Sequence, residues 1–379
     1  MHETLFNLHD VMQLMTAALS IMLALPMALK RRRHLADLLL SGFVLTQGIA
    51  ALFYVLLYSP TLMAWSSETF GIFGFFPVIV LYALQGPLLL YYSHAISGQP
   101  VSVDPADKQV FAFLVGFALL EGVVRTLFFP DHEFALAMVG WGMPALIASV
   151  YYAIRALGVL REHNEAIQQR FSNIDDISLL WLSYAAFGFS GIWILRLAAY
   201  FPMNIFGYHW QDLAGAAANY PTSLLIAIMV ILGLSQQRAV SVAPVEPQPT
   251  PGNGSERINP QQIEKLEHLM EAVKIYEDPD LDVDGLADSM GMSARSLSSL
   301  INGHYNKNFY EFVNHYRATE AKRLLRDQEH EGLTIQQVFE KAGFASKSTF
   351  NTFFKKATGQ TPSEYRRSAA ASAASRRVS

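Results

Sequence analysis

The sequence predicts an all-α protein in two dissimilar parts: a seven-transmembrane-helix bundle, then a cytoplasmic all-α domain with two helix-turn-helix units. Three observations carry that prediction. First, charge is unevenly spread. Residues 1–234 hold 10 Lys/Arg and 14 Asp/Glu, about a tenth of the segment, whereas residues 258–379 hold 16 of each, about a quarter. An average soluble protein is roughly 25% charged. Second, apolar runs long enough to cross a bilayer recur through the first part. Third, one helical pattern with a glycine turn occurs twice in the second part, about 52 residues apart. Together these exclude a single soluble enzyme and an intrinsically disordered chain. The absence of Cys also excludes a disulfide framework, a thiolate nucleophile and Cys-ligated zinc.

A spanning helix needs roughly 20 mostly apolar residues to cross about 30 Å of hydrocarbon. Seven segments of residues 1–234 qualify: Val11–Leu29, Leu35–Tyr58, Phe70–Tyr92, Val110–Phe129, Phe134–Leu157, Leu179–Phe201 and Leu213–Leu234. Basic residues set the orientation, because Lys and Arg are retained on the cytoplasmic side. The connections after spans one, three and five carry Lys30, Arg31, Arg32 and Arg33, then Lys108, then Arg161 and Arg170, with Arg155 at the end of span five. The N-terminal tail and the connections at 59–69, 130–133 and 202–212 carry none. This predicts a multi-pass membrane protein with its N-terminus outside and its C-terminal domain in the cytoplasm. The outer segments are too short to bury a core of their own, so a signal must act on the bundle or come through the lipid.

Three charges fall inside the spans, where ionisable groups are costly and face the bundle interior. Glu121 and Arg125 lie four residues apart on one face of span four, in the order that favours an ion pair, and Arg196 lies on span six. Two readings stand. In one, Glu121 and Arg125 neutralise each other and Arg196 reaches toward the outer surface. In the other, all three line an outward-facing pocket for a small amphiphilic, anionic ligand.

Residues 235–257, SQQRAVSVAPVEPQPTPGNGSER, contain four Pro and two Gly and read as a flexible linker. The inner loop Arg161–Ser178 is charged and carries Ile167, Phe171 and Ile174 at heptad-like spacing. It either extends span five into the cytoplasm to touch the next domain or a dimer mate, or forms a solvated loop.

The soluble part begins with Asn259–Pro260, a helix start, followed by an apolar face of Ile263, Leu266, Leu269, Met270 and Val273. In LDVDGLADSMGMSARSLSSLIN (281–302), Val283, Leu286, Ala287 and Met290 face one way. Gly291 supplies the turn, Ser293 caps the next helix, and Leu297, Leu300 and Ile301 face inward. Such a short helix pair joined through Gly is a helix-turn-helix. The pattern returns in TIQQVFEKAGFASKSTFNTFFKKATGQTPSEYRR (334–367). Here Ile335, Val338 and Phe339 precede Gly343, and Phe350, Phe353 and Phe354 follow it. Between the units, Phe309–Arg326 reads as one connecting helix of ~27 Å at 1.5 Å per residue. A strut of that length sets two helices close to one turn of B-DNA apart, ~34 Å.

These motifs resemble the DNA-binding domain of the AraC/XylS family of bacterial transcription regulators. LADSMGMSARSLSSLIN, FVNHYRATEAKRLL and above all AGFASKSTFNTFFKKATGQTPSEYRR carry the resemblance, over Leu281–Arg367. With seven spans and the inner FSNIDDISLLWL, the chain resembles the membrane-embedded members of that family. The resemblance implies double-stranded promoter DNA as a partner, transcription activation and contact with RNA polymerase. One departure is Phe339, where the family usually has a small Ala; it implies looser or repacked helices in the second unit.

The apolar spacing leaves Arg295, Ser296, Ser298, Ser299 and Asn302 outside on the first reading helix. On the second it leaves Lys347, Ser348, Thr349, Asn351, Thr352, Lys355 and Lys356. Arg pairs with guanine and Asn with adenine in the major groove, while Ser, Thr and Lys more often hold phosphates. Net charge is −7 over residues 258–340 and +7 over 341–379, so the second unit should dominate phosphate contacts and salt dependence. Residues 258–367 thus form the DNA-binding domain, and the low-complexity tail 368–379 is expected to be disordered.

The function expected is a one-component, membrane-bound transcription regulator without cofactor, metal or catalytic residues. Membrane lipid, a small ligand and a second copy of the chain are its expected partners. Two rivals stand: a receptor whose helix-turn-helix pair binds a protein, and a transporter-like or enzyme-like bundle with a fused regulatory domain. The second lacks a metal-ligand cluster, a nucleophile motif or an internal repeat of spans. Release of the domain by proteolysis after Ser235 is a further possibility the sequence leaves open.

Overall fold

The structure, a computed structural model, describes residues 7–30, 34–59, 62–70, 76–128, 134–200, 208–236, 259–327 and 332–378. The described residues are helical apart from turns and a single antiparallel bridge between Phe171 and Asp282. The chain divides into two compact units, Met1–Glu162 with Leu179–Pro244, and His163–Ser178 with Val245–Ser379. The predicted linker lies, from residue 237 on, outside the described residues.

The first unit contains α1 (Leu8–Leu29), α2 (Leu35–Tyr58), α3 (Met63–Phe70), α4 (Phe76–Ile96) and α5 (Pro105–Phe128). It continues with most of α6 (Phe134–Arg170), then α7 (Leu180–Tyr200) and α8 (Tyr208–Gln236). The start of α1 is fixed by a capping box, in which Asn7 accepts from the Asp10 amide at 2.8 Å and Asp10 accepts from the Asn7 amide at 3.1 Å. Phe43, Leu89, Tyr152, Phe189, Trp193 and Met229 are buried together at the centre. Large apolar side chains such as Met22, Ile154, Tyr184, Phe187 and Leu224 are left exposed. Such an outward-apolar surface is compatible with lipid as the surrounding solvent.

Each of the seven predicted spans coincides with a long helix, span two with the same ends, Leu35–Tyr58. Span five runs on through Arg170, and residues 71–75, near the predicted start of span three, lie outside the described residues. Six helices among the described residues are long and apolar enough to cross a membrane, and α5 is not one of them. The side chains of Glu121 and Arg125, near its C-terminal end, lie outside the described residues.

The second unit contains α9 (Pro260–Glu271), a 3-10 turn at Ile275–Glu277, α10 (Val283–Met290), α11 (Ala294–Tyr305) and α12 (Phe309–Arg326). It ends with α13 (Ile335–Lys341), α14 (Lys347–Thr358) and α15 (Pro362–Val378). Two cores flank α12. One gathers Leu266, Leu286, Leu297, Ile301 and Phe312, the other Ala321, Val338, Phe344, Phe350 and Phe354. One expectation is corrected. Val273 lies beyond the end of α9 and is exposed, because the chain turns at Lys274, whose φ is 57°. Helix α15 continues to Val378 through an Ala-rich stretch, Ala having the best helix propensity of any residue.

Candidate nucleic-acid interface

Each helix-turn-helix is built from caps and a glycine. Asp282 caps α10, accepting from the Gly285 amide at 2.8 Å. Gly291, at φ 71°, turns the chain, and Ser293 caps α11 by accepting from the Ser296 amide at 3.1 Å. In the second unit Thr334 and Gln337 form a capping box on α13. Gly343, at φ 84°, makes the turn, and Ser346 caps α14. Helix α12 is the strut between them, capped by Asn308 and 18 residues long.

The predicted readers are not all alike. Arg295, Ser299 and Asn302 are exposed on α11, and Lys347, Ser348, Thr352, Lys355 and Lys356 on α14, with Ser296 and Asn351 half-buried. Ser298 is 4% exposed, so it packs inward instead of lying on the outer face. Thr349, 9% exposed, is also enclosed. The spacing missed both because a small side chain at the flank of an amphipathic helix can lie on either side of the boundary. Phe339 is buried against Phe350, ring centres 5.8 Å apart. It fills the second unit's core, so the helices are repacked around an aromatic cluster.

Residues 163–178 are part of this unit, and α6 supplies their first turns. Ser172, 1% exposed, donates from its backbone amide to the Leu281 carbonyl at 3.3 Å. Its own carbonyl accepts from Asn314 Nδ2 at 2.9 Å and from Arg317 Nη1 at 3.2 Å, and its hydroxyl accepts from Arg317 Nη2 at 3.0 Å. Arg317 is fully enclosed on α12 and also donates to the carbonyls of Tyr276 and Asp278, at 2.8 and 2.6 Å. Burial pulls its guanidinium down to about 10, so it still carries its charge at neutral pH and is held by carbonyl dipoles.

Beyond this plug the segment reaches both reading helices. Asn302 Nδ2 donates to Gln169 Oε1 at 3.3 Å, and Asn308 Nδ2 to Gln168 Oε1 at 3.1 Å. Arg170 pairs with Asp284 at 3.3 Å. At the start of α14, the carboxylate of Asp175 accepts from the Ser346 hydroxyl and from Thr349 Oγ1, the latter at 2.6 Å. The inner loop therefore follows the first of the two sequence alternatives. Asp175 was not singled out in the sequence, because nothing in NIDDIS marks one of its two acids as a partner for residues 171 positions away.

In the first unit, Arg196 on α7 is the one sequence-predicted sensing residue whose side chain is described. Its Nη2 donates to Asn219 Oδ1 on α8, and its guanidinium lies 5.1 Å from the centre of the Tyr82 ring. Gln13, Thr16, Gln47, Tyr54 and Thr222, with Ala50 and Ala51, line the rest of a small, mostly polar cavity there. Arg196 Nη1 and Gln47 Nε2 are buried without a hydrogen-bond partner among the described residues. A second polar knot gathers Asp107, which accepts from Tyr91, Tyr152 and Arg155 at 2.8–3.0 Å. Those partners come from two helices, Tyr91 from α4 and Tyr152 and Arg155, one turn apart, from α6.

A pair of short glycine-turned helix units on a common strut, with basic and amide side chains on the outer face of each second helix, has the architecture of a tandem helix-turn-helix domain. Comparison with known proteins narrows the class. The family described as a helix-turn-helix domain matches residues 286–368. An uncharacterized HTH-type transcriptional regulator of Escherichia coli, YijO, is 32% identical over 111 residues, 28% of this chain and 38% of its own length. The HTH-type transcriptional regulator AlkR of Acinetobacter baylyi is 28% identical over 27% of this chain and 32% of its own. The transcriptional activator RhaS of Pectobacterium atrosepticum is 28% identical over 32% and 40%. The chain thus spans two-fifths or less of the length of these relatives. No solved structure matches it. This C-terminal domain is thus similar to a domain of HTH-type transcriptional regulators, in keeping with the AraC/XylS resemblance of its motifs.

Proposed function

We propose that the protein is a one-component regulator that receives a signal in the membrane and reads promoter DNA with α11 and α14. The observation that carries this reading is the pair of polar, outward-facing reading helices on the single strut α12. The apolar exterior of the first unit supports a membrane location. The clustering of Lys and Arg in alternate connections supports an orientation with the C-terminal domain in the cytoplasm. In this reading α5 is the seventh span. The covalent path from the bundle to the DNA-binding domain has two arms, the linker after α8 and the segment 163–178, which α6 enters and α7 leaves.

The signal enters, in this reading, at the cavity of Arg196. A buried guanidinium nitrogen with no acceptor among the described residues, in the same cavity lining as a buried amide nitrogen also without one there, favours a ligand that brings anionic oxygen. The ligand acts by binding one bundle conformation better than another. A homodimer and contact with RNA polymerase complete the proposal, on the strength of the family resemblance alone.

The test is a footprint of the full-length protein in lipid discs on DNA flanking its own coding region. Two protected major-groove segments about one helical turn apart are the expected result. No protection by the full chain or by residues 259–378 would overturn the DNA reading in favour of a protein partner. For the sensor, Arg196→Ala should abolish the change in reporter expression that an inducing condition produces, at unchanged membrane abundance. An unaltered response removes Arg196 from the signal path.

A further inference from the structure

We propose that residues 163–178 form an intramolecular competitor of DNA, with the Asp175 carboxylate holding the place of a backbone phosphate at the start of α14. The inference rests on the DNA-binding reading above and adds the regulation of that site.

The first turn of a helix exposes backbone N–H groups and the positive end of the helix dipole, and anions settle there. In DNA complexes, Ser and Thr hydroxyls and helix N-termini are regular phosphate ligands. Helix α14 presents Ser346 at its cap, Thr349 one turn in and Lys347 between them. In this structure both hydroxyls are directed at Asp175. A carboxylate offers what a phosphate offers, two anionic oxygens that accept charge-assisted hydrogen bonds, so Asp175 and a DNA phosphate cannot both hold Ser346 and Thr349.

The position of Asp175 is set by its neighbours. Three residues earlier, Ser172 is locked by Arg317, Asn314 and Leu281 in a buried network, and Ile174 is buried beside it. The same segment engages Asn302, the amide reader of α11, through Gln169. One short stretch therefore touches both reading helices, and with Glu165, Asp175 and Asp176 against Arg170 its net charge is −2. It faces a C-terminal region of net charge +7 over residues 341–379. Because the stretch joins α6 to α7 in the chain, a conformational change in the bundle that draws it away would free α14 for DNA.

The test uses full-length protein in lipid discs and duplexes selected from a random pool by the Asp175→Asn protein. Asp175→Asn should bind these duplexes about tenfold more tightly than the wild type, the scale of one lost charge-assisted contact. Asp176→Asn removes the same charge one residue on and should change affinity less than twofold. Hydrogen exchange of residues 171–177 in the wild type should rise when the duplex is bound. Equal gains from both substitutions would reduce the effect to through-space charge and overturn the competitor. So would unchanged or weaker binding by Asp175→Asn, or full protection of 171–177 in the DNA complex. If neither the wild type nor the variant retains any duplex, the DNA reading itself fails and the competitor falls with it. Duplex binding by the wild type with no gain from Asp175→Asn would sink the competitor alone.

Discussion

In the first helix-turn-helix unit the hydroxyls of Ser293 and Ser296 meet each other at 2.9 Å. In the second, the residues at the same two positions, Ser346 and Thr349, both donate to Asp175. The cores differ as well. In the first, the two helices meet through aliphatic side chains, Leu286, Met290, Leu297 and Ile301 around Ala287, and the buried rings Tyr276, Phe309 and Phe312 come from outside the pair. In the second, they meet through aromatic ones, with Phe339, Phe344 and Phe354 each in ring contact with Phe350. Even the glycines differ: a Cβ at Gly291 meets nothing within 4 Å, whereas one at Gly343 falls 2.3 Å from the Tyr276 carbonyl oxygen. One grammar thus yields two different parts. The first unit satisfies its own polar groups at the start of its reading helix. The second is tightly packed inside, and its anion-binding end is satisfied by an acceptor that another anion can replace.

The comparison breaks most readily in the cores. Phe350→Ala removes the centre of three ring contacts and should cost about 4 kcal/mol, with α13 and α14 amides losing hydrogen-exchange protection in the full-length protein while α10 and α11 keep theirs. If both units open together, the two cores are one cooperative body and the contrast is lost. The turns give the next largest effect. Gly343→Ala adds a backbone collision to an unfavourable φ and should cost about 3 kcal/mol, against about 1 kcal/mol for Gly291→Ala, which bears the φ penalty alone. Denaturant midpoints of the two variants check this.

Charge sharpens the contrast at the DNA. Replacing Lys347 or Lys355 with Ala should lower the slope of log affinity against log salt by about 0.9 each if each holds a phosphate. Arg295→Ala should leave that slope nearly unchanged and relax sequence preference instead. The smallest expected effect is on acid stability. The hydrogen bond from Arg323, and then that from Lys274, hold the Glu320 carboxyl below its usual range, against its burial. A depressed carboxyl contributes stability that is present above the unfolded value, about 4.3, and is lost as pH falls through the folded one. Glu320→Gln should therefore flatten the decline in stability below about pH 4.5, measured as denaturant midpoint against pH.

Much of the fold was legible because it depends on local patterning. The caps Asn259 and Ser293, the turn at Gly291 and the strut Phe309–Arg326 all lie where the sequence placed them. Those features are set by residues within one or two turns of each other. The site was less legible. Ser298 and Thr349 sit at helix flanks, where periodicity does not distinguish the buried side from the exposed one. Asn219 and Gln47 join Arg196 from other helices, and polar residues in an apolar run carry no mark of which neighbour they will meet.

By itself the sequence determined that a set of apolar helices precedes a charged domain with two glycine-turned helix pairs, because hydrophobic period, capping residues and turn glycines act over a few residues. Only the tertiary structure decided that the loop between α6 and α7 belongs with the second unit, and that Phe339 completes an aromatic core. It also decided that Asp175 meets α14. Those outcomes depend on packing between residues far apart in the chain, where burial of Ser172 and Arg317 fixes a contact that no local pattern encodes.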